Sequence, residues 1–412
     1  MDRQPQRFLK TWIIACIAFA LLVAVFNVLM DPYALFDAPR IAGFNARKPR
    51  ELGDLPRTKA YDVLKTQPKT LLLGASVVHL GLDPESRAWP ASNRPVYNLA
   101  LALGGPYVSY RYLQHVLSQR HVGLVVLGLE FNSFLNRQIM EPPLEREVEA
   151  RLAVTANNTV NPEQPWQHTR DLVQAALTLD ALTNSTATLT LSFKGRESGF
   201  IADDAFERGL RRTLSATGSY PIVSYTNLYR MRTYFARHRD QAVKADVRRM
   251  LDLCESQGTR VILLINPVRA DQLEILDVSG LWPAYEDWKR ELVTLAAQYR
   301  GKDGGSRISL WDFSGYDAYS TEDVRSDGQI IHWFWESIHY THALGDVMIE
   351  RISGAGDEQF GTLLSPENVE THLATIREQR ELYREQRPAD VRRVRILYDA
   401  FVARRSQHDE VR

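Results

Sequence analysis

The stretch Thr70-Leu71-Leu72-Leu73-Gly74-Ala75-Ser76-Val77-Val78-His79-Leu80-Gly81 decides the fold. Its apolar run, residues 71–73, is too short for a helix and stops at a glycine, so it reads as a buried strand followed by a turn. A serine just past the carboxyl end of a parallel strand stands where open α/β sheets bind their ligands, with backbone N–H groups of the next helix pointing toward it. Ser76 is therefore a candidate nucleophile, set against the commoner role of serine as a helix cap.

The flanking chain alternates. Residues 57–67 have helical character, 69–73 form the first strand and 96–99 a second. Residues 107–119 read as a helix and 122–129, Val-Gly-Leu-Val-Val-Leu-Gly-Leu, as a fully buried third strand. The rhythm resumes with a helix at 242–257, a strand at 260–265, a helix at 284–299, a strand at 308–311 and a helix at about 343–352. Strands alternating with helices predict parallel neighbours joined by right-handed crossovers, hence one sheet with helices on both faces: an α/β fold, a three-layer α/β/α sandwich, over residues 57–355. Residues 133–240 break the rhythm, with a Thr/Asn/Ala-rich part at 183–191 and an Arg- and Tyr-rich part at 225–239, and read as an insertion or cap. Residues 356–412 read as a charged helical tail, with helices at 366–386 and 389–405.

The 412 residues carry 50 Lys plus Arg against 50 Asp plus Glu, so no global field draws the chain to nucleic acid, and no basic patch is interleaved with aromatics. Residues 11–30 hold no charge and have the length a helix needs to cross a bilayer. Ala18 and Ala20 lie inside that run and no small-x-small site ends it, so it reads as a retained transmembrane helix rather than a cleaved signal. Arg3, Arg7 and Lys10 precede it, while Asp31 and Asp37 against Arg40 follow, which favours residues 1–10 in the cytoplasm and the remainder outside; Arg47, Lys48 and Arg50 blur the asymmetry. Residues 31–56, rich in Pro, Gly and charge, read as a linker. Cys16 falls in the apolar run and Cys254 far outside it, so no disulfide between them is expected.

A serine nucleophile needs a base, and an imidazole base needs a carboxylate to fix its tautomer. In Trp333-Phe334-Trp335-Glu336-Ser337-Ile338-His339-Tyr340, Glu336 and His339 are that pair, three residues apart on a tight turn after the last strand. His332, Glu336, His339 and His342 also recur at spacings that metal ligands use, but the pattern is not H-E-x-x-H, and neither a metal nor another cofactor is expected. His79 is a weak candidate for substrate contact. Trp333, Phe334, Trp335 and Tyr340 suit either a sugar-stacking surface or the core.

Gly74-Ala75-Ser76, Asn98 with Gly104 and Gly105, Gly128-Leu129-Glu130-Phe131-Asn132, and a carboxylate three residues before the last histidine resemble the ordered blocks of the SGNH (GDSL-like) hydrolase superfamily. The resemblance is nearest to its membrane-anchored envelope branch, which includes alginate O-acetylation and teichoic acid D-alanylation proteins. Gly81-Leu82-Asp83-Pro84, Tyr97-Asn98-Leu99-Ala100 and Trp311-Asp312-Phe313-Ser314-Gly315-Tyr316 look like a family of bacterial membrane proteins with this domain. It implies a flavodoxin-like parallel sheet, Ser76 as nucleophile, His339 as base and Glu336 as the orienting acid. Two positions depart from the pattern: Glu336 replaces the usual aspartate, and Glu130 stands where an asparagine usually donates to the oxyanion. An ionised glutamate cannot donate, so the oxyanion donor is expected from Asn132 or from backbone N–H groups at Ser76 and near Gly104. The expected function is an O-acyl, foremost O-acetyl, transferase or esterase acting on a cell-envelope or exported polysaccharide, anchored in a bacterial inner membrane with its catalytic domain outside. A transferase would need a multi-spanning membrane partner to hand over the acyl group. The rival expectation is a non-catalytic scaffold or carbohydrate-binding subunit of the same fold.

Overall fold

The computed structural model describes residues 4–49, 53, 55–101, 104–134, 146–194, 199–201, 241–299, 307–323 and 332–409. In chain order its helices and strands are α1 (Gln4–Met30), β1 (Arg47–Pro49), α2 (Pro56–Thr66), β2 (Thr70–Leu73), α3 (Ser76–Gly81), β3 (Val96–Asn98), α4 (Pro106–Leu117), β4 (Leu124–Leu129), α5 (Arg146–Arg151), α6 (Gln164–Leu177), α7 (Leu179–Lys194), β5 (Gly199–Ile201), α8 (Gln241–Ser256), β6 (Arg260–Ile265), α9 (Ala270–Val278), α10 (Trp282–Ala297), β7 (Ile308–Asp312), α11 (His342–Ile352), β8 (Thr362–Leu364), α12 (Val369–Gln386) and α13 (Pro388–Asp409). They divide into two compact units, Met1–Lys65 with Glu145–Asp204, and Thr66–Leu144 with Ala205–Arg412.

The larger unit is α/β and is built on a six-stranded sheet in the order β3-β2-β4-β6-β7-β8. Every residue of β2 and β4 is buried, which explains their continuous apolar character. The first five strands are parallel and β8 closes the edge antiparallel to β7, pairing Leu310 with Leu364. The all-parallel expectation is corrected at that edge: β8 has three residues and no apolar periodicity to announce it. From β2 the chain steps to one side, to β3, and then to the other, to β4. The two steps diverge at the carboxyl ends of β2 and β4, where such sheets open a crevice.

Behind β7 lies a buried charge network. Lys289 of α10 is 2.7 Å from Asp312, with both side chains essentially inaccessible. Asp312 also accepts from Ser314 N–H (2.9 Å) and Oγ (2.6 Å) and lies 2.9 Å from His372 Nε2 of α12. Burial pushes the Asp312 carboxyl up, but the Lys289 charge and the His372 hydrogen bond override it and hold it below the usual range. Removing Lys289 leaves the Asp312 carboxylate buried without its lysine counter-charge. Lys289→Met is therefore expected to cost about 3–5 kcal/mol, read as a fall in the denaturant midpoint, and Lys289→Met with Asp312→Leu to recover part of it. A double variant less stable than the single one would contradict this account.

The smaller unit corrects the domain expectation. Residues 31–49, the greater part of the expected linker, are folded: Tyr33, Leu35 and Ala46 are buried, and the Asp31 carboxylate accepts the N–H groups of Leu35 (2.7 Å), Phe36 (3.1 Å) and Ala38 (3.3 Å). Lys48 is buried and donates to the carbonyls of Met30 (3.0 Å) and Asp31, closing the carboxyl end of α1 where a cation is favoured. Burial lowers its ammonium to about 8, against the pull of Asp31. Two of the charges that suggested a solvated linker, Asp31 and Lys48, are thus spent on the chain's own backbone. Residues 146–194 and 199–201 of the expected insertion belong to this unit: α6 and α7 pack on α1, and β5 pairs with β1. Residues 202–240, including the 225–239 stretch, lie outside the described residues.

Candidate active site

Ser76 is the first residue of α3, placed there by a turn at Gly74 with φ +143°. A Cβ on Gly74 would lie 2.7 Å from Val78 Cγ2, so only glycine lets the chain turn this tightly off the strand. Asn98, at the end of β3, fixes α3 from its far end: Nδ2 lies 3.0 Å from the Leu82 carbonyl and 3.3 Å from that of His79, and Oδ1 accepts Ala100 N–H (3.2 Å). The resemblance singled out Asn98 without a role, and the structure makes it the clamp on the helix that carries Ser76.

Glu336 and His339 sit on a loop closed by a bridge between Phe334 and Tyr340 and by Trp335 N–H on the His339 carbonyl (2.7 Å). Phe334 and Tyr340 are fully buried, so these two aromatics are core. Glu336 is buried and folded onto its own loop. Its Oε1 accepts His339 N–H (2.8 Å) and contacts His339 Nδ1, while Oε2 accepts Ile338 N–H (3.2 Å). With Nδ1 turned to the carboxylate, Nε2 faces the serine, 2.8 Å from Ser76 Oγ. Serine, imidazole and carboxylate thus form a continuous hydrogen-bonded relay, and Ser76 is partly accessible.

The register lines up more than the relay. Leu73 of β2 pairs with Leu127 of β4, so the turn that carries Ser76 and the end of β4 that leads to Glu130 leave neighbouring parallel strands at the same edge of the sheet. Leu129 pairs with Ile265 of β6, which brings Asn266 level with Glu130. Glu130 Oε1 is buried without a hydrogen-bond partner, and burial pushes its carboxyl up to about 7, against the charge of His339. Asn266 is 4% exposed; Tyr340 Oη donates to its Oδ1 (3.3 Å), and its Nδ2 has no partner. Asn266 was missed in the sequence, where the signal available was a polar residue ending a buried strand ahead of Pro267.

No model of a known protein family matches this chain, and no curated protein does either.

The other expected residues fall as follows. Asn132 follows Glu130 and lines a cavity with Val77, Glu130, Asn266, Trp288 and Ile338, next to both Ser76 and His339 in sequence. Gly104 N–H is already donated to the Leu101 carbonyl (2.8 Å), so this amide is not the spare oxyanion donor the sequence suggested. His79 is one turn along α3 from Ser76 and partly exposed. His332 is exposed, its ring edge-on to Trp333 at 4.3 Å, and its N–H is held by Glu322 (3.0 Å); His342 opens α11. Among the described residues no three His, Cys, Asp or Glu side chains are grouped to hold a metal.

Proposed function

We propose that the larger unit is a serine acyl-ester enzyme: an O-acyl, foremost O-acetyl, transferase or esterase acting on a cell-envelope or exported polysaccharide. The observation that carries this reading is the 2.8 Å contact between Ser76 Oγ and His339 Nε2, with Glu336 on the opposite ring nitrogen. Ser76 Oγ attacks the ester carbonyl as His339 takes its proton; the ester C–O bond then breaks and His339 hands that proton to the departing alcohol oxygen, leaving an acyl-serine. Water or an acceptor hydroxyl attacks the acyl-serine as His339 takes its proton, and His339 returns a proton to Ser76 Oγ as the acyl–serine bond breaks. Glu336 holds the ring and stabilises the imidazolium. The relay, the strand order and the Gly-Ala-Ser turn support membership of the SGNH superfamily, with the helices arranged as a three-layer sandwich. The uncharged run of α1, which is long and apolar enough to cross a membrane, supports a tether in a bacterial inner membrane with this unit outside. A multi-spanning partner would then supply the acyl group for a transferase.

Fluorophosphonate labelling of the full chain, read by intact mass, tests this proposal alongside turnover of a chromogenic acetyl ester. Labelling at Ser76 with ester turnover supports an activated serine. Absence of both would favour the non-catalytic scaffold.

Glu130 supplies the donor that an ionised carboxylate cannot. As the neutral acid, at the end of the strand beside the Ser76 turn and with Oε1 unpartnered, it can present an O–H to the oxyanion; as the anion it would repel it. Ester turnover is therefore expected to fall as pH rises through about 7, and Glu130→Gln, whose amide N–H does not titrate in this range, to abolish that alkaline limb. Stability follows the same sign. The folded carboxyl keeps its proton above the ordinary value of 4.5, so its contribution is full below that value and lost as pH rises through 7. Melting temperatures from pH 5 to 8 should accordingly vary less for Glu130→Gln than for the wild type. An unchanged alkaline limb in Glu130→Gln would remove Glu130 from the reaction.

A further inference from the structure

We infer that the elbow between α6 and α7 is a second membrane contact, sunk into the leaflet through which α1 emerges; this rests on the reading of α1 as a membrane-spanning helix. Charge ends at Lys10, and a span must cover about 30 Å of hydrocarbon. Residues 7–22 of α1 are all exposed, whereas several of residues 23–30 are partly covered and Asn27 and Met30 are fully buried by their own unit. At 1.5 Å per residue, Thr11 to Leu22 supplies roughly 18 Å, so roughly 12 Å of the span falls to the part of α1 that α6 and α7 pack against.

A hydrogen bond marks the level. Asn27 Nδ2 donates to the Ala176 carbonyl (2.8 Å), in the last turn of α6, so the elbow at Leu177-Thr178-Leu179 stands beside Asn27, within the uncharged run. The elbow is dressed for lipid. Val173, Leu177 and Leu179 are 52%, 53% and 78% exposed, and no charge occurs from Leu172 to Leu179. The exposed threonines satisfy their hydroxyls without water: Thr178 donates to the Gln174 carbonyl (2.8 Å), Thr183 to Leu179 (3.0 Å), Thr186 to Leu182 (2.9 Å) and Thr190 to Thr186 (2.8 Å). A hydroxyl returned to the carbonyl one turn back is the arrangement a helix uses where water is scarce. The nearest charge, Asp180, is held by Tyr33 Oη and Asn184 Nδ2, and Tyr33 lies just beyond the end of α1. An apolar tip continuous with a spanning helix, with its first charge tied to the residue that leaves the span, fits the boundary between acyl chains and headgroups.

The test uses the full chain in phosphatidylcholine–phosphatidylglycerol vesicles. Nitroxides go on single cysteines at Leu177→Cys or Leu179→Cys in a Cys16→Ser background. Native Cys254 stays unlabelled, being buried with its thiol pushed up to about 12. Ile17→Cys, on the exposed face of α1, is the lipid reference and Glu85→Cys, exposed and charged in the native chain, the water reference. Power saturation against oxygen and against a water-soluble nickel chelate is expected to give positions 177 and 179 the depth sign of position 17. The sign of position 85 at both would overturn the inference, and so would shielding from both relaxants, which would mean that a second copy or another protein covers the elbow. If position 17 itself reads as water, the spanning reading fails and the inference falls with it; a lipid signal at 17 with water at 177 and 179 sinks the inference alone.

Discussion

Ser76→Ala is expected to lower ester turnover by about 10⁴-fold or more and to abolish fluorophosphonate labelling. The size follows from the relay. The hydroxyl is the nucleophile that His339 Nε2 addresses, at 2.8 Å, and alanine removes it. Glu336→Gln is expected to fall nearly as far, because an amide can offer Nδ1 a donor and so turn the ring to the tautomer that presents N–H to the serine. The two variants differ in stability. Ser76 is partly exposed and its replacement strips one hydrogen bond, so its melting temperature should stay near the wild-type value. Glu336 is buried and binds two backbone N–H groups of its own loop, and its replacement should lower the melting temperature measurably. Wild-type turnover that survives Ser76→Ala would sink the proposed chemistry, whatever the fold.

Much of this site was legible because its parts are local. The run at residues 71–73 could be read as a strand because both its faces are covered, which leaves no polar residue to confuse the period. Glu336 and His339 could be paired because three residues on a closed turn put both side chains on one side. What stayed hidden depends on register between distant segments. Asn266 looks like a turn residue ahead of a proline until β6 is laid beside β4 and brings it level with Glu130. Glu130 itself read as a defect, since spacing says nothing about burial, and burial is what pushes its carboxyl up to about 7. Gly104 misled for a related reason: a missing side chain allows close approach, but the N–H it would offer is consumed by Leu101. Residues 31–56 have the composition of a solvated linker, and only the folded chain reveals that Asp31 and Lys48 are turned onto backbone groups.

The helix crossing that assembles the relay is the other place where one substitution should act strongly. Gly345 of α11 lies so close to α3 that a Cβ there would sit 2.0 Å from the Gly81 carbonyl oxygen, and a Cβ on Gly81 would sit 2.0 Å from the Tyr340 ring. The Gly81 carbonyl in the first contact is backbone, not the end of a flexible side chain, so Gly345→Ala must push the helices apart by about 1.5 Å to reach an ordinary contact distance. Those helices carry the chemistry: Ser76 opens α3, and His339 precedes α11 by three residues. Separation of about 1 Å between nucleophile and base costs roughly 100-fold in rate, and the overpacking about 1–3 kcal/mol of stability. Gly345→Ala should therefore label with fluorophosphonate about 100-fold more slowly than wild type at a temperature where it is still folded. Gly123→Ala, whose added Cβ would meet nothing closer than 3.5 Å, is the control and should match wild type in both respects. A Gly345→Ala protein that is destabilised but labels at the wild-type rate would mean that the crossing only packs the core. Slow labelling in the folded variant would instead make the glycine pair a determinant of the Ser76–His339 distance.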